Sequence, residues 1–317
     1  MNRMPRLAVA LLTCVVVVAT LSGCGALRGG SPELGASGGP TKSSAASVPI
    51  GPSSHTIQVG GQTRSYLSYR PAGLSGRAPL VVMLHGGFGS AAQAESSYGW
   101  NAEADAEHFV VVYPDGMGRA WNVGGGCCGA PGRTNVDDVG FVSAVVRDVE
   151  AAMPIDPTRV FATGISNGGM MAYRLACDTD LFAAIGPDSA TLLGDCASPH
   201  PLSVLAIHGT ADQNIPYDGG QGSGFAKIDG PSIPSVNQLW RSADSCGPPA
   251  STTAREVTTS TAECPGSRTV ELITISGAGH QWPGSTKGRQ GADTPFPDLD
   301  ATKLIWAFFA AHPGAPS

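Results

Sequence analysis

The chain is poor in charge. Only 14% of its 317 residues are charged, and 19 Lys and Arg against 25 Asp and Glu leave a net charge of −6. It has no basic run and no aromatic-interleaved patch, which argues against a nucleic-acid partner. Such mild acidity favours solubility and selects no substrate. Cys-x-x-Cys pairs and clustered histidines are missing too, so a zinc site has no ligand spacing to rest on, and no metal or cofactor is expected. The longest apolar run, from Leu7 to Thr20, is too short for a comfortable membrane span. What remains is a 42% hydrophobic content, which suits a globular core. The length allows one large domain or two ordinary ones.

The N-terminus reads as an export signal. Arg3 and Arg6 precede the apolar run, which ends in Leu21-Ser22-Gly23-Cys24. That tetrapeptide resembles the bacterial lipobox, in which the cysteine is lipidated and becomes the mature N-terminus. Residues 1–23 are therefore expected to be a lipoprotein signal peptide and Cys24 the lipid anchor. The protein is then exported and held on the outer face of the cell membrane, or released. Residues 24–54 are rich in Gly, Ser, Pro and Ala, cannot bury enough apolar surface to order themselves, and read as a flexible tether. Export also changes the reading of the six remaining cysteines, an even count that suggests disulfides. Cys177 with Cys196 and Cys246 with Cys264 are the economical local pairs. Cys127 and Cys128 are left as a vicinal bridge or as two buried thiols.

From 55 to 317 the pattern is that of one domain, without internal repeats. His55 to Tyr69 looks like a hairpin turning at Gly60-Gly61. Leu80–Leu84, Phe109–Tyr113, Arg159–Thr163, Leu202–Ile207 and Val270–Ile275 are short apolar runs, as expected of strands buried on both faces. Helical spacing predicts helices over Val136–Met153, Asn167–Cys177, Val236–Ala243 and Ala301–Ala311. The fold class is therefore α/β, a mostly parallel central sheet with helices on both faces.

Gly164-Ile165-Ser166-Asn167-Gly168 matches Gly-x-Ser-x-Gly, a pattern that 43 glycines can also produce by accident. Gly35-Ala36-Ser37-Gly38-Gly39 shows this, since it lies in the tether with no strand before it and no helix after it. Ser166 differs because a strand runs into Gly164 and a helix starts after the serine. A tight turn of this kind exposes the hydroxyl at the carboxyl edge of the sheet, which fits a nucleophile. His280 lies late in the chain, just beyond a strand, and is the candidate base. Asp212, beyond another strand, is the candidate acid; Asp188, Asp195 and Asp218 sit in less regular contexts. The order Ser, acid, His is that of α/β-hydrolases. In this scheme His280 takes the serine proton, and Asp212 fixes its tautomer. The oxyanion donors are expected to be the N–H groups of Asn167 and Gly87, with Phe88 as the alternative to Gly87; His85 holds their loop in shape.

Taken together, several segments resemble the bacterial family of poly(3-hydroxybutyrate)-depolymerase-like and feruloyl-esterase-like lipoproteins, related to carbohydrate esterase family 1. They are Leu84-His-Gly-Gly, Tyr113-Pro-Asp-Gly, Trp121-Asn122, Cys127-Cys128-Gly129, Val136-Asp-Asp-Val-Gly-Phe141, Gly164-Ile-Ser-Asn-Gly-Gly-Met170, His208-Gly-Thr-Ala-Asp212 and Gly279-His-Gln-Trp-Pro-Gly284. The resemblance spans about Thr56 to His312. It implies an α/β-hydrolase fold, a Ser166–Asp212–His280 triad and an ester substrate, and it suggests that Trp121 and Trp282 line the substrate pocket. Simple core packing is the other reading of those two tryptophans. The chain shows a tether in place of a polymer-binding or carbohydrate-binding module. A soluble or envelope-associated ester of a hydroxy acid, a phenolic acid or a short acyl group is expected rather than an insoluble polymer. The competing classes are a non-catalytic surface binding lipoprotein on the same scaffold, and a peptidase or thioesterase using the same triad.

Overall fold

The computed structural model describes residues 48–285 and 293–314. The expected signal peptide, Cys24, the tether up to residue 47 and the Ser37 pentapeptide lie outside the described residues.

The hairpin is present. β1 (Gly51–Val59) and β2 (Gln62–Arg70) pair antiparallel about Gly60 and Gly61, whose φ values of 57° and 77° are costly for a residue with a Cβ. The folded domain starts earlier than His55. β1 begins at Gly51, Val48 is buried, and the Val48 carbonyl accepts a hydrogen bond of 2.8 Å from Arg70 Nη1. Gly-Pro-Ser-Ser has the composition of a tether, but a ladder uses backbone groups, and β2 supplies a partner row for them.

The remaining strands are β3 (Ala78–Leu84), β4 (Val110–Pro114), β5 (Ile155–Ile165), β6 (Ala184–Asp188), β7 (Ser203–Gly209), β8 (Gly220–Gln221), β9 (Asp229–Gly230), β10 (Ala250–Ala254), β11 (Val257–Cys264) and β12 (Arg268–Ile275). Ten of the twelve strands described form one sheet in the order β1-β2-β4-β3-β5-β6-β7-β12-β11-β10, and β8 and β9 form a small separate ribbon. The central run from β4 to β12 is parallel, and the hairpins at both edges are antiparallel. The helices are α1 (Ala91–Ser97), α2 (Trp100–Glu107), α3 (Gly129–Thr134), α4 (Asp138–Ala152), α5 (Asn167–Asp178), α6 (Ile233–Ala243) and α7 (Ala301–Ala311).

Two cores follow from the pleat of the sheet. Leu80, Val82 and Leu84 of β3 pack with Val142, Val145 and Val149 of α4, Met170 and Leu175 of α5, and Trp240 of α6. The alternate residues Val81 and Met83 pack on the opposite face with Trp100 of α2 and Ile305, Trp306 and Phe309 of α7. A strand buried on both sides must be apolar throughout, which is why β3 and β4 read as continuous runs. Each such Val or Leu stabilises the fold by roughly 1.5–3 kcal/mol. Disulfides join Cys177 to Cys196 and Cys246 to Cys264, the two local pairs expected, and Cys127 to Cys128 across a cis peptide.

Candidate active site

In a parallel sheet the carboxyl ends of the strands share one edge, and loops leaving that edge converge. Here β3 delivers His85–Gly89, β5 delivers Ser166, β7 delivers Asp212 and β12 delivers His280.

Ser166 occupies the turn between β5 and α5 with φ 57° and ψ −124°, a conformation that L residues rarely adopt. The turn is held from both sides. The Ser166 N–H donates to the Asp188 carbonyl at 2.9 Å, and the Ser166 carbonyl accepts from the Met170 N–H at 2.8 Å. The flanking glycines are required by space. A Cβ on Gly164 would lie 2.6 Å from the Leu84 carbonyl oxygen, and one on Gly168 would run into that same oxygen. Gly86 passes so close that a Cβ there would stand 3.5 Å from Ser166 Cβ, which brings the β3 loop beside the serine.

Asp212 and His280 meet. His280 Nδ1 lies 2.7 Å from Asp212 Oδ2, while Asp212 Oδ1 accepts from the Asn214 and Ile215 N–H groups at 2.8 and 3.0 Å. Burial pushes the Asp212 carboxyl up, but the His280 hydrogen bond and charge, with His208 and the Ile215 N–H, outweigh burial and hold it below its ordinary value. An ionised carboxylate only accepts, so His280 Nδ1 carries the proton and Nε2 is left as the basic nitrogen. His208 lies 3.5 Å from the same carboxylate, but burial pushes its pKa down to about 4, so it stays neutral and its Nε2–H donates to the Ile215 carbonyl at 2.9 Å. The His280 loop is pinned at three further points. Asp293 Oδ2 accepts the His280 N–H at 2.6 Å, Ser189 Oγ donates to the Gln281 carbonyl, and Trp282 Nε1 donates to Thr302 Oγ1 at 3.1 Å.

Ser166 and His280 line one cleft of about 940 Å³, together with Gly87, Asn167 and Trp282. Gly87 and Asn167 are neighbours, since a Cβ on Gly87 would lie 3.8 Å from Asn167 Cβ. Phe88, the alternative oxyanion donor, is committed elsewhere: its N–H donates to the Arg119 carbonyl at 2.7 Å. His85 is fully buried, takes the Gly116 N–H on Nε2 at 2.9 Å and bonds its own loop at Gly86 through Nδ1, so it shapes the loop as expected.

One pocket expectation is corrected. Trp282 lines the cleft, but Trp121 is enclosed, with no exposed surface, and does not line it. Its indole N–H donates to the His85 carbonyl at 2.8 Å, and its main chain grips the Asn167 side chain through bonds of 2.7 and 3.2 Å. Trp121 therefore braces Asn167 directly and the β3 loop at His85. Three features carried no recognisable sequence signal. Arg119 holds the β3 loop by donating to the Phe88 and Gly89 carbonyls. Phe88 and Phe225, both solvent-exposed, meet edge to face at 5.5 Å on the cleft wall. Asp188, at the tip of β6, is buried with neither carboxyl oxygen in good hydrogen-bond geometry with a partner among the described residues, and burial raises its pKa well above its ordinary value.

The layered sheet and this edge define an α/β-hydrolase fold. The chain belongs to the esterase PHB depolymerase family. The family model matches residues 64–214, which include Ser166 and Asp212. "Putative esterase NocK" of Nocardia uniformis subsp. tsuyamanensis is 33% identical over 267 residues, covering 73% of this chain and 74% of that protein. Feruloyl esterase B of Piromyces equi is 31% identical over 66% of this chain, which spans only 41% of that protein. Among solved structures, an acetyl xylan esterase from Aspergillus awamori superimposes with a TM-score of 0.58 at 14% identity, over 82% of this chain and 99% of that one. The protein is a carboxylic ester hydrolase.

Proposed function

We propose that the protein is a serine esterase, exported and lipid-anchored through Cys24, that cleaves hydroxy-acid, phenolic-acid or short acyl esters through an acyl-serine intermediate. The observation that carries the mechanism is the 2.7 Å bond from His280 Nδ1 to the ionised, buried Asp212, on the cleft that Ser166 also lines. With Nδ1 tied to the carboxylate, Nε2 accepts the Ser166 proton as the hydroxyl attacks the ester carbonyl. Asp212 stabilises the imidazolium, and the N–H groups of Gly87 and Asn167 receive the oxyanion. His280 then returns the proton to the leaving alcohol, and water repeats the sequence to free the acid and Ser166.

A fluorophosphonate probe tests this directly. It should label the full chain and fail to label Ser166→Ala. Label that persists in that variant, or an unaltered chain that takes none, refutes the nucleophile. Export and anchoring are tested by metabolic labelling with a radioactive fatty acid: Cys24→Ser should lose the label, and its retention refutes the anchor.

A further inference from the structure

We propose that the ester this cleft selects carries a free carboxylate, received by Arg133. The proposal rests on the serine-esterase reading and narrows its substrate class.

Among the described residues the cleft wall holds three cationic side chains, Arg119, Arg133 and Lys227. None of them is paired with a carboxylate among the described residues, whereas Arg64, Arg174, Arg255, Arg268 and Lys303 all are. Their present engagements differ. Arg119 donates Nε–H and an Nη2–H to the Gly89 and Phe88 carbonyls, and Lys227 Nζ donates to the Ser223 carbonyl at 3.2 Å. Arg133 makes no hydrogen bond or ion pair among the described residues. It stands in the last turn of α3, beside the Cys127–Cys128 bridge that lines the same cleft. Two carboxylates, Asp229 and Asp293, also line the wall, but Asp293 is committed to the His280 N–H. The wall therefore carries a surplus of positive charge on a chain whose net charge is −6. A surplus of positive charge among the described cleft residues, held against the overall sign, favours an anion here.

The guanidinium fork narrows the anion. Its N–H groups match the two oxygens of a carboxylate in a bidentate pair, a geometry a lysine cannot offer. Ser166 on the same cleft requires an ester bond within reach. A molecule with both features is a half-ester of a diacid or a short hydroxy-acid oligomer with a free chain end. A neutral short acyl ester offers Arg133 nothing.

The test uses the full chain and two substrates of one shape: the linear dimer of 3-hydroxybutyrate, and the same dimer capped as its carboxamide. p-Nitrophenyl butyrate is run alongside. We expect kcat/KM to favour the free carboxylate over the cap by about 10- to 100-fold, the range of a charge-assisted hydrogen bond. The preference should shrink as ionic strength rises. In Arg133→Ala it should fall to near unity, and Arg133→Lys should keep part of it. Equal turnover of dimer and cap by the unaltered chain, or a ratio unmoved in Arg133→Ala, overturns the proposal while p-nitrophenyl butyrate turnover leaves the esterase reading standing. If p-nitrophenyl butyrate is not hydrolysed and Ser166 takes no fluorophosphonate, the esterase reading itself fails and the proposal falls with it. Should Arg133→Ala not fold, the salt dependence and Arg133→Lys decide the matter.

Discussion

Replacing Asp212 by Asn separates the electrostatic role of the carboxylate from its structural one. Oδ1 of Asp212 accepts two main-chain N–H groups, from Asn214 and Ile215, and Oδ2 faces His280 Nδ1. An asparagine can keep its carbonyl oxygen on the two N–H groups, and its NH₂ then points at His280. The reverse flip would set NH₂ against two buried donors and lose both bonds, so the first arrangement holds. Facing a donor, Nδ1 becomes an acceptor, and the single imidazole proton moves to Nε2, the nitrogen needed as base. The loop keeps its hydrogen bonds while catalysis meets the wrong tautomer. A change of this kind lowers kcat by about 10⁴-fold, or about 5.5 kcal/mol of barrier. Asp188 cannot substitute, because it makes no bond to His280 among the described residues and burial disfavours its charged form. His208 cannot either, since it stays neutral with its N–H on Ile215. The measurements are kcat on p-nitrophenyl butyrate and the rate of fluorophosphonate labelling, which should fall together while the thermal midpoint moves little. An Asp212→Asn protein within about tenfold of the unaltered kcat would refute the assignment of the acid.

Four further outcomes follow from the geometry. Asp188→Asn removes a carboxyl whose folded pKa is raised, so the native state holds a proton that the unfolded chain gives up above about pH 4. Wild-type stability therefore falls as pH rises, and denaturant melts should show the variant gaining on it by up to about 1.4 kcal/mol per pH unit from pH 4 upward; a gain independent of pH contradicts the neutral acid. Asn167→Ala keeps the main-chain N–H but loses both side-chain bonds to the Trp121 main chain that hold it, so kcat should drop by up to about 10²-fold with KM little changed; an unchanged kcat would show that the Trp121 bonds do not position that N–H. Gly168→Ala drives a Cβ into the Leu84 carbonyl and should cost both folding yield and labelling; a normally labelled protein would disprove the close approach. Opening Cys177–Cys196, which closes a sequence separation of 19, should lower stability by roughly 3 kcal/mol, read from denaturant melts under oxidising and reducing conditions.

How far the sequence could be read depended on what each element uses to stay in place. β3, β4 and β7 are buried along their whole length and the second half of β5 likewise, and burial on both faces leaves a mostly apolar run, while β12 keeps an apolar core of Val270, Leu272, Ile273 and Ile275. β10 and β11 are held by backbone pairing at the sheet edge. Ala250–Ala254 is exposed throughout, and β11 is mostly Thr, Ser and half-buried positions, so no apolar period announces them. β6 was hidden for another reason. Gly186 and Pro187 sit inside it and look like punctuation, yet Gly186 is there because a Cβ would lie 2.6 Å from Ile305 of α7. The start of β1 was obscured in the same way by its tether-like Gly-Pro-Ser-Ser.

The site divides along a similar line. Ser166, Asp212 and His280 each follow a strand, and the order Ser, acid, His is a topological property that survives in one dimension. The separation of Trp121 from Trp282 is not. Both follow strands and stand in motifs of the same look, and only the third dimension shows one indole on the cleft and the other behind Asn167. The cleft charges are less legible still. Arg119, Arg133 and Lys227 come from three separate segments, and nothing in their neighbours marks them. Whether an arginine is spent or free depends on where the carboxylates fall in space. Asp138 sits 74 residues from Arg64 and takes it in a buried pair at 2.7 Å, while no such acid reaches Arg133 among the described residues. The order of the candidate triad is thus written along the chain, and the proposed selectivity across it. A sequence that shares every motif of this one but carries an acid beside Arg133 should keep ester hydrolysis and lose its preference for the carboxylate, a result that Arg133-neighbour charge swaps read out in the same dimer-to-cap ratio.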